Sequence, residues 1–358
     1  LDTSKEAKKM LTQRLRAVGA LCVLVLLSGC GMSVDYSPDG KKVVISLAQQ
    51  GLVVANVDGS GWRRLPGTKD TTLALWSPDG RYILYERVGQ QNEPRGVFLY
   101  DLQTKSSQAL PGLLSTPFTF SADGSQIVVW DKKNSCLVWF DTSSRQRLLE
   151  VPCTVNLPTQ RLLWLPDRHG VAFIGGGFDV YTVESGELYR ITTTGDVIGL
   201  GLSEDGKQLL WVRQTGEGAR AVFTAFAYDL DSRSVQKLAW QTTLRELMPA
   251  GLRRDWKTTA VAQFSPDGRS VALLLTYFRE KQDPIWGNVW VLHLFDGGRV
   301  PLFATRLPTQ PHWTPFAAAW SPNGKQVAVV SLWESLGETD AHVWICSAEG
   351  KQRRLLRL

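Results

Sequence analysis

Apolar residues fall along this chain in short runs of three or four, and the runs recur in sets. Val43-Val44-Ile45, Tyr82-Ile83-Leu84-Tyr85, Ile127-Val128-Val129-Trp130, Leu209-Leu210-Trp211 and Val327-Ala328-Val329-Val330 are rich in β-branched and aromatic residues. At that length and composition they predict strands rather than helices. Each follows a turn signal that repeats: Ser37-Pro38-Asp39-Gly40, Ser77-Pro78-Asp79-Gly80, Ser121-Ala122-Asp123-Gly124, Ser203-Glu204-Asp205-Gly206, Ser265-Pro266-Asp267-Gly268 and Ser321-Pro322-Asn323-Gly324. A seventh, worn copy is Leu165-Pro166-Asp167-Arg168-His169-Gly170. Ser, Pro and Gly at the first, second and fourth positions suit a type I turn, so each copy predicts a hairpin.

The flanking positions keep the same register. Tyr36, Trp76, Phe120, Trp164, Leu202, Phe264 or Trp320 stands just before each turn, and Val34, Ala74, Phe118, Leu162, Leu200, Ala262 or Ala318 two residues earlier on the same strand face. After the second strand comes a third, as in Leu52-Val53-Val54-Ala55 or Val97-Phe98-Leu99-Tyr100, and then a basic, leucine-bearing fourth. Trp62-Arg63-Arg64-Leu65, Arg145-Gln146-Arg147-Leu148-Leu149 and Arg353-Arg354-Leu355-Leu356 are examples. Charge on such a strand suits an outer edge exposed to water.

Successive turn markers lie 40, 44, 44, 38, 62 and 56 residues apart. A four-stranded unit of this size cannot bury both faces alone, and radial stacking leaves only short protected edges. The repeats therefore predict an all-β fold, a β-propeller of seven four-stranded antiparallel blades, with six or eight as the alternatives. The first unit opens on its inner strand and the last ends on its outer one. Closure is then expected to rest on packing of blade 1 against blade 7. The two long spacings predict insertions.

The N-terminus changes the picture of where the protein works. Half of the formal net charge of +6 falls in the first thirty residues, where Lys5, Lys8, Lys9, Arg14 and Arg16 outweigh Asp2 and Glu6. The remainder is too weak and scattered to argue for nucleic acid. The basic stretch precedes an apolar run, Ala17 to Leu27, that ends at Ser28-Gly29-Cys30, with Leu1 or Met10 as the start. This order reads as a signal peptide over 1–29 followed by a single propeller domain over 30–358. The run falls well short of the ~20 residues that cross a bilayer. Leu27-Ser28-Gly29-Cys30 resembles the bacterial lipobox, which implies lipidation of Cys30 and an exported protein held on the cell membrane or outer membrane, facing the periplasm or exterior. The other reading is an ordinary signal peptide with an incidental cysteine.

Trp76-Ser77-Pro78-Asp79-Gly80-Arg81 and Trp320-Ser321-Pro322-Asn323-Gly324-Lys325 resemble the TolB-like, WD-repeat-like propeller repeat over about residues 34 to 358. The resemblance implies the fold and leaves the function open, since many unrelated proteins use this unit. A propeller peptidase would need a hydrolase domain, and no Gly-x-Ser-x-Gly elbow occurs.

Candidate chemistry is sparse. His169, His293, His312 and His342 show no metal-ligand spacing. The recurring Asp residues sit at the third position of turns, which accounts for them. Cys136 and Cys153 fall in one predicted blade, either as a pair or, like Cys346, as small apolar fillers. No cofactor motif is read. The insertions combine aromatic and basic groups, Trp240, Arg253, Arg254 and Trp256 in residues 239 to 260 and Trp286 in residues 278 to 288. They are candidate partner-binding loops, because Trp and Arg recur at interface hot spots; solvated hairpin extensions are the plainer reading. The expectation is a non-enzymatic lipoprotein scaffold binding an envelope protein or peptide. The alternative is a propeller hydrolase or lyase acting on a glycan or lactone at the central channel.

Overall fold

A computed structural model describes residues 32–47, 50–89, 95–113, 117–155, 162–248, 257–278, 286–303, 312–335 and 338–356. Its strands form seven antiparallel sheets of four, each pairing its strands in chain order. Blade 1 runs Met32–Arg64, blade 2 Thr71–Ala109, blade 3 Phe118–Pro152 and blade 4 Leu163–Arg190. Blade 5 runs Val197–Thr243, blade 6 Lys257–Pro301 and blade 7 His312–Leu356. No strand is exchanged between the first and last blades.

The core is seven apolar clusters, one between each pair of neighbouring blades. Alternation along each strand does the sorting. In the second strand of blade 1, Val43 and Ile45 join the cluster shared with blade 7, while Val44 between them joins the cluster shared with blade 2. The residues that precede the turns distribute one pair to each interface. Val34 and Tyr36 pack toward blade 7, Ala74 and Trp76 toward blade 1, and Phe118 and Phe120 toward blade 2. Leu162 and Trp164, Leu200 and Leu202, Ala262 and Phe264, and Ala318 and Trp320 do the same around the rest of the ring. The seam between blades 7 and 1 is thus an interface of the ordinary kind, built from Val34, Tyr36, Val43 and Ile45 against Ala319, Ala328, Val330, Val343 and Leu356.

The turns repeat one hydrogen-bond circuit. Ser37 Oγ donates to Asp39 Oδ1 at 2.6 Å and accepts the Lys42 N–H at 2.9 Å, while Asp39 Oδ1 also accepts the Lys41 N–H at 3.0 Å. Ser121, Ser203 and Ser321 build the same circuit with Asp123, Asp205 and Asn323. Turn chemistry therefore accounts for these carboxylates. Gly40, at φ 68°, takes the left-handed conformation that closes the turn. Neighbouring turns also touch. A Cβ placed on Gly80 would lie 3.7 Å from Cδ of Pro38, one on Gly124 3.4 Å from Pro78, and one on Gly40 3.5 Å from Pro322. The last of these contacts crosses the seam. The worn copy keeps the arrangement, as a 3-10 turn over Pro166–Arg168 with Pro166 against Gly206.

The long spacings are partly strand. Blades 5 to 7 have second strands Gln208–Thr215, Ser270–Phe278 and Gln326–Ser335, against Lys42–Leu47 in blade 1. The ring is therefore taller on one side. Where blades 5 and 6 meet, two glycines let the inner strands close up: a Cβ on Gly199 would sit 2.1 Å from the Ala262 carbonyl oxygen, and one on Gly201 2.4 Å from Phe264 Cβ.

Two outcomes follow. Gly199→Ala forces a methyl against backbone and should cost about 1–3 kcal/mol by denaturant unfolding; unchanged stability would contradict the close approach. Hydrogen bonds from the Ser side chains and from backbone N–H groups hold the carboxyls of Asp39, Asp123 and Asp205 below their ordinary range, and bonds from Ser144 and Ser143 bring Asp141 to about 2. A carboxyl depressed by folding stabilises above its unfolded pKa of about 3.9 and stops doing so as pH falls through its folded value. Stability should hold from neutral pH to about 5 and fall between about 4 and about 2, read as the denaturant midpoint against pH.

Candidate functional site

The inner strands surround the propeller axis, and across all seven of them Asp35 is the one carboxylate. Its Oδ2 accepts the Trp76 N–H at 2.9 Å, and Ser33 Oγ accepts the Ala74 N–H at 3.0 Å, so both tie blade 1 to blade 2. Acid–base catalysis on a glycosidic bond uses two carboxyl groups across the scissile bond. The inner strands supply half of such a pair, and that half is occupied by backbone.

Several charged groups elsewhere are paired within or between blades. Arg213 grips Asp196 through Nε and Nη2, both at 2.7 Å. Asp179, 2% exposed, accepts the Gly195 N–H at 2.9 Å and pairs with Arg190. Arg168 reaches Glu184 and Asp231. Among the described residues no group of three or more His, Cys, Asp or Glu side chains is placed to hold a metal ion. His169 closes the worn turn in the left-handed conformation, and His293 Nδ1 meets Ser270 Oγ at 2.9 Å.

Cys136, Cys153 and Cys346 are free and buried. Cys136 faces the cluster with blade 2 and Cys153 the cluster with blade 4, so the sheet itself stands between the two faces they use. Burial pushes the Cys346 thiol up to about 12, and raises those of Cys136 and Cys153. They are fillers.

One of the candidate partner-binding residues is corrected. Trp240 is 3% exposed, in the outer strand of blade 5 (Val235–Thr243), and packs with Leu244, Leu247 and Trp290. The one-turn helix Leu244–Leu247 that follows has a capping box, in which Glu246 accepts the Thr243 N–H at 3.3 Å, and Glu246 also accepts from Thr242 Oγ1 at 2.7 Å. This first part of the insertion is a cover over the interface of blades 5 and 6, so Trp240 is a core residue. Trp286 opens the third strand of blade 6, Trp286–His293. Its side chain, together with Cys30, Arg253, Arg254 and Trp256, lies outside the described residues.

A cleft that the sequence did not flag opens at the rim between blades 1 and 2. It has a volume of about 190 Å³ and is lined by Arg63, Arg64, Leu65, Tyr100, Leu102 and Lys105, among others. Trp62, beside it in the chain, is 48% exposed. The signal was present in Trp62-Arg63-Arg64-Leu65, but the same kind of stretch recurs in other blades, and only the fold shows which copy faces an opening.

No protein-family model and no curated protein matches the sequence. Solved structures do match. The propeller domain of the Trilobed protease from Pyrococcus furiosus, described as having an open velcro topology, is 16% identical with a TM-score of 0.58 over 91% of this chain and 97% of that one. An oligogalacturonate lyase in complex with manganese is 15% identical, with a TM-score of 0.58 over 86% of each chain. TolB from Acinetobacter baumannii is 17% identical and covers 90% of this chain and 62% of that one, at a TM-score of 0.44. The chain is a seven-bladed β-propeller. The first two likenesses speak for that fold alone, and the fold serves a protease and a lyase as readily as a scaffold.

The buried thiols generate a direct check. Native protein treated with iodoacetamide at pH 8 should leave Cys136, Cys153 and Cys346 unmodified on peptide mapping, and unfolded protein should be labelled at all three. Native labelling of any would contradict their placement.

Proposed function

We propose that this chain is a membrane-anchored lipoprotein of the cell envelope whose propeller serves as a rigid binding scaffold for a protein or peptide. The observation that carries the reading is the position of the first inner strand relative to Cys30. Met32 pairs with Leu47, at the end of the blade opposite the Ser37-Pro38-Asp39-Gly40 turn. Met32 lies two positions after Cys30, a reach of at most about 7 Å of extended chain. A lipid on Cys30 then holds the bilayer against the face where the long hairpins of blades 5 to 7 also end, and turns the Ser-Pro-Asp-Gly face away from it. No helix among the described residues is long and apolar enough to cross a membrane.

The test is lipid labelling of the chain in its host cell. Wild-type protein should take up labelled palmitate and sediment with membranes, and Cys30→Ala should lose the label and appear in the soluble fraction. Label retained by Cys30→Ala would overturn the anchor.

A further inference from the structure

From the rim cleft between blades 1 and 2 we infer a docking site for an extended acidic peptide segment, with Arg63, Arg64 and Lys105 receiving its carboxylates. The inference deepens the scaffold reading and rests on it.

Most of the basic groups at the outer strands of other blades have partners within the protein. Arg147 in blade 3 pairs with Glu150 and lies over the Phe140 ring, 5.8 Å from its centroid. Arg190 in blade 4 pairs with Asp179 and lies over Tyr181 at 5.9 Å. Arg299 in blade 6 meets Glu246 at 2.6 Å. In blade 7, Arg353 lies over Phe303 at 5.9 Å, and Lys351 meets Glu349 at 2.8 Å. Four of these five meet a carboxylate of the protein itself, while Lys237 on the outer strand of blade 5 and Arg354 on that of blade 7 have none within ion-pair reach among the described residues and do not line the cleft.

What distinguishes blade 1 is that its uncommitted cations line a cleft. Among the described residues Arg63 and Lys105 have no carboxylate within ion-pair reach, and Arg64 bonds a neutral partner, its Nη2 donating to Gln50 Oε1 at 2.7 Å. Asp101, in the same turn as Lys105, is already committed: Oδ2 accepts from Arg81 Nη2 at 2.9 Å, and Oδ1 accepts the N–H groups of Gln103 and Thr104 at 2.7 and 3.1 Å. None of the residues lining the cleft is acidic. Three cations of one sign, drawn from two blades around a concave surface, raise the local concentration of anions.

The shape selects among anions. The cations stand on a strand of one blade and on a turn of the next, with Leu65, Leu102 and the Tyr100 ring also lining the space. A compact anion such as phosphate needs donors converging on one point. An extended chain, whose side chains alternate, can lay carboxylates on the cations and apolar groups between them. Burying the apolar groups adds affinity that salt does not screen.

The test titrates the full chain into a fluorescein-labelled peptide alternating glutamate and leucine, read by fluorescence polarisation. Saturable binding is expected, lost with the peptide's glutamine counterpart and weakened by added salt. Reversing two exposed charges, Arg63→Glu with Lys105→Glu, should weaken it about tenfold or more. Lys207→Glu with Lys237→Glu, an equal double reversal of exposed lysines on blade 5, should leave it within about twofold. Circular dichroism confirms that each variant is folded. Equal loss in the blade 5 double variant would reduce the effect to overall charge and overturn the site, as would undiminished binding to the Arg63 and Lys105 double variant. Displacement of the peptide by millimolar inorganic phosphate would overturn the peptide in favour of a small-anion site. The anchor at Cys30 fails or stands on lipid labelling alone, so the two results are read separately.

Discussion

Each blade of this molecule is a sheet with two faces to bury, and a single sheet can bury neither by itself. The ring answers this constraint. Odd and even positions of one strand go to different neighbours, as Val43 and Val44 do, and every interface receives the same kind of contribution from both sides. The seam obeys the same rule: Val34 and Tyr36 meet blade 7 as Ala74 and Trp76 meet blade 1. Apolar burial at about 25 cal/mol per Å² then closes the ring without a strand shared between the two ends.

That constraint also explains what the sequence disclosed. The residue before each turn and the one two earlier recur because each pair fills one of seven equivalent interfaces, so the pattern reports packing directly. The turns were legible for a similar reason, since Ser, Asp or Asn, and Gly are each fixed by a hydrogen bond or a φ value at the six intact copies. Blade count and the closing interface followed from these. What the pattern could not disclose depends on which blade lies beside which. Trp240 reads as a loop residue in a long spacing, yet an extended strand and a capped turn carry it into the interface of blades 5 and 6. Cys136 and Cys153 are close in sequence but serve opposite faces of one sheet. Arg63 and Arg64 look like Arg353 and Arg354 until the partners of each are known.

The ring is symmetric in its packing and asymmetric in its surfaces. Short, uniform turns occupy one end, and the lengthened hairpins of blades 5 to 7 reach toward the other. A repeat architecture permits this because each blade answers only to its neighbours, so strands can lengthen at one end without disturbing the interfaces. The described buried thiols and the indoles of the repeat are taken up by packing, and the turn carboxylates by hydrogen bonding.

The claim on which the rest depends is closure by apolar packing alone at the seam. Native-state hydrogen exchange measured blade by blade tests it most directly, because local opening would expose the weakest interface first. Closure of the ordinary kind predicts that amides of the inner strands in blades 1 and 7 exchange with the same opening free energy as those of blade 4. Early, denaturant-independent exchange confined to blades 1 and 7 would contradict it and mark the seam as an open edge.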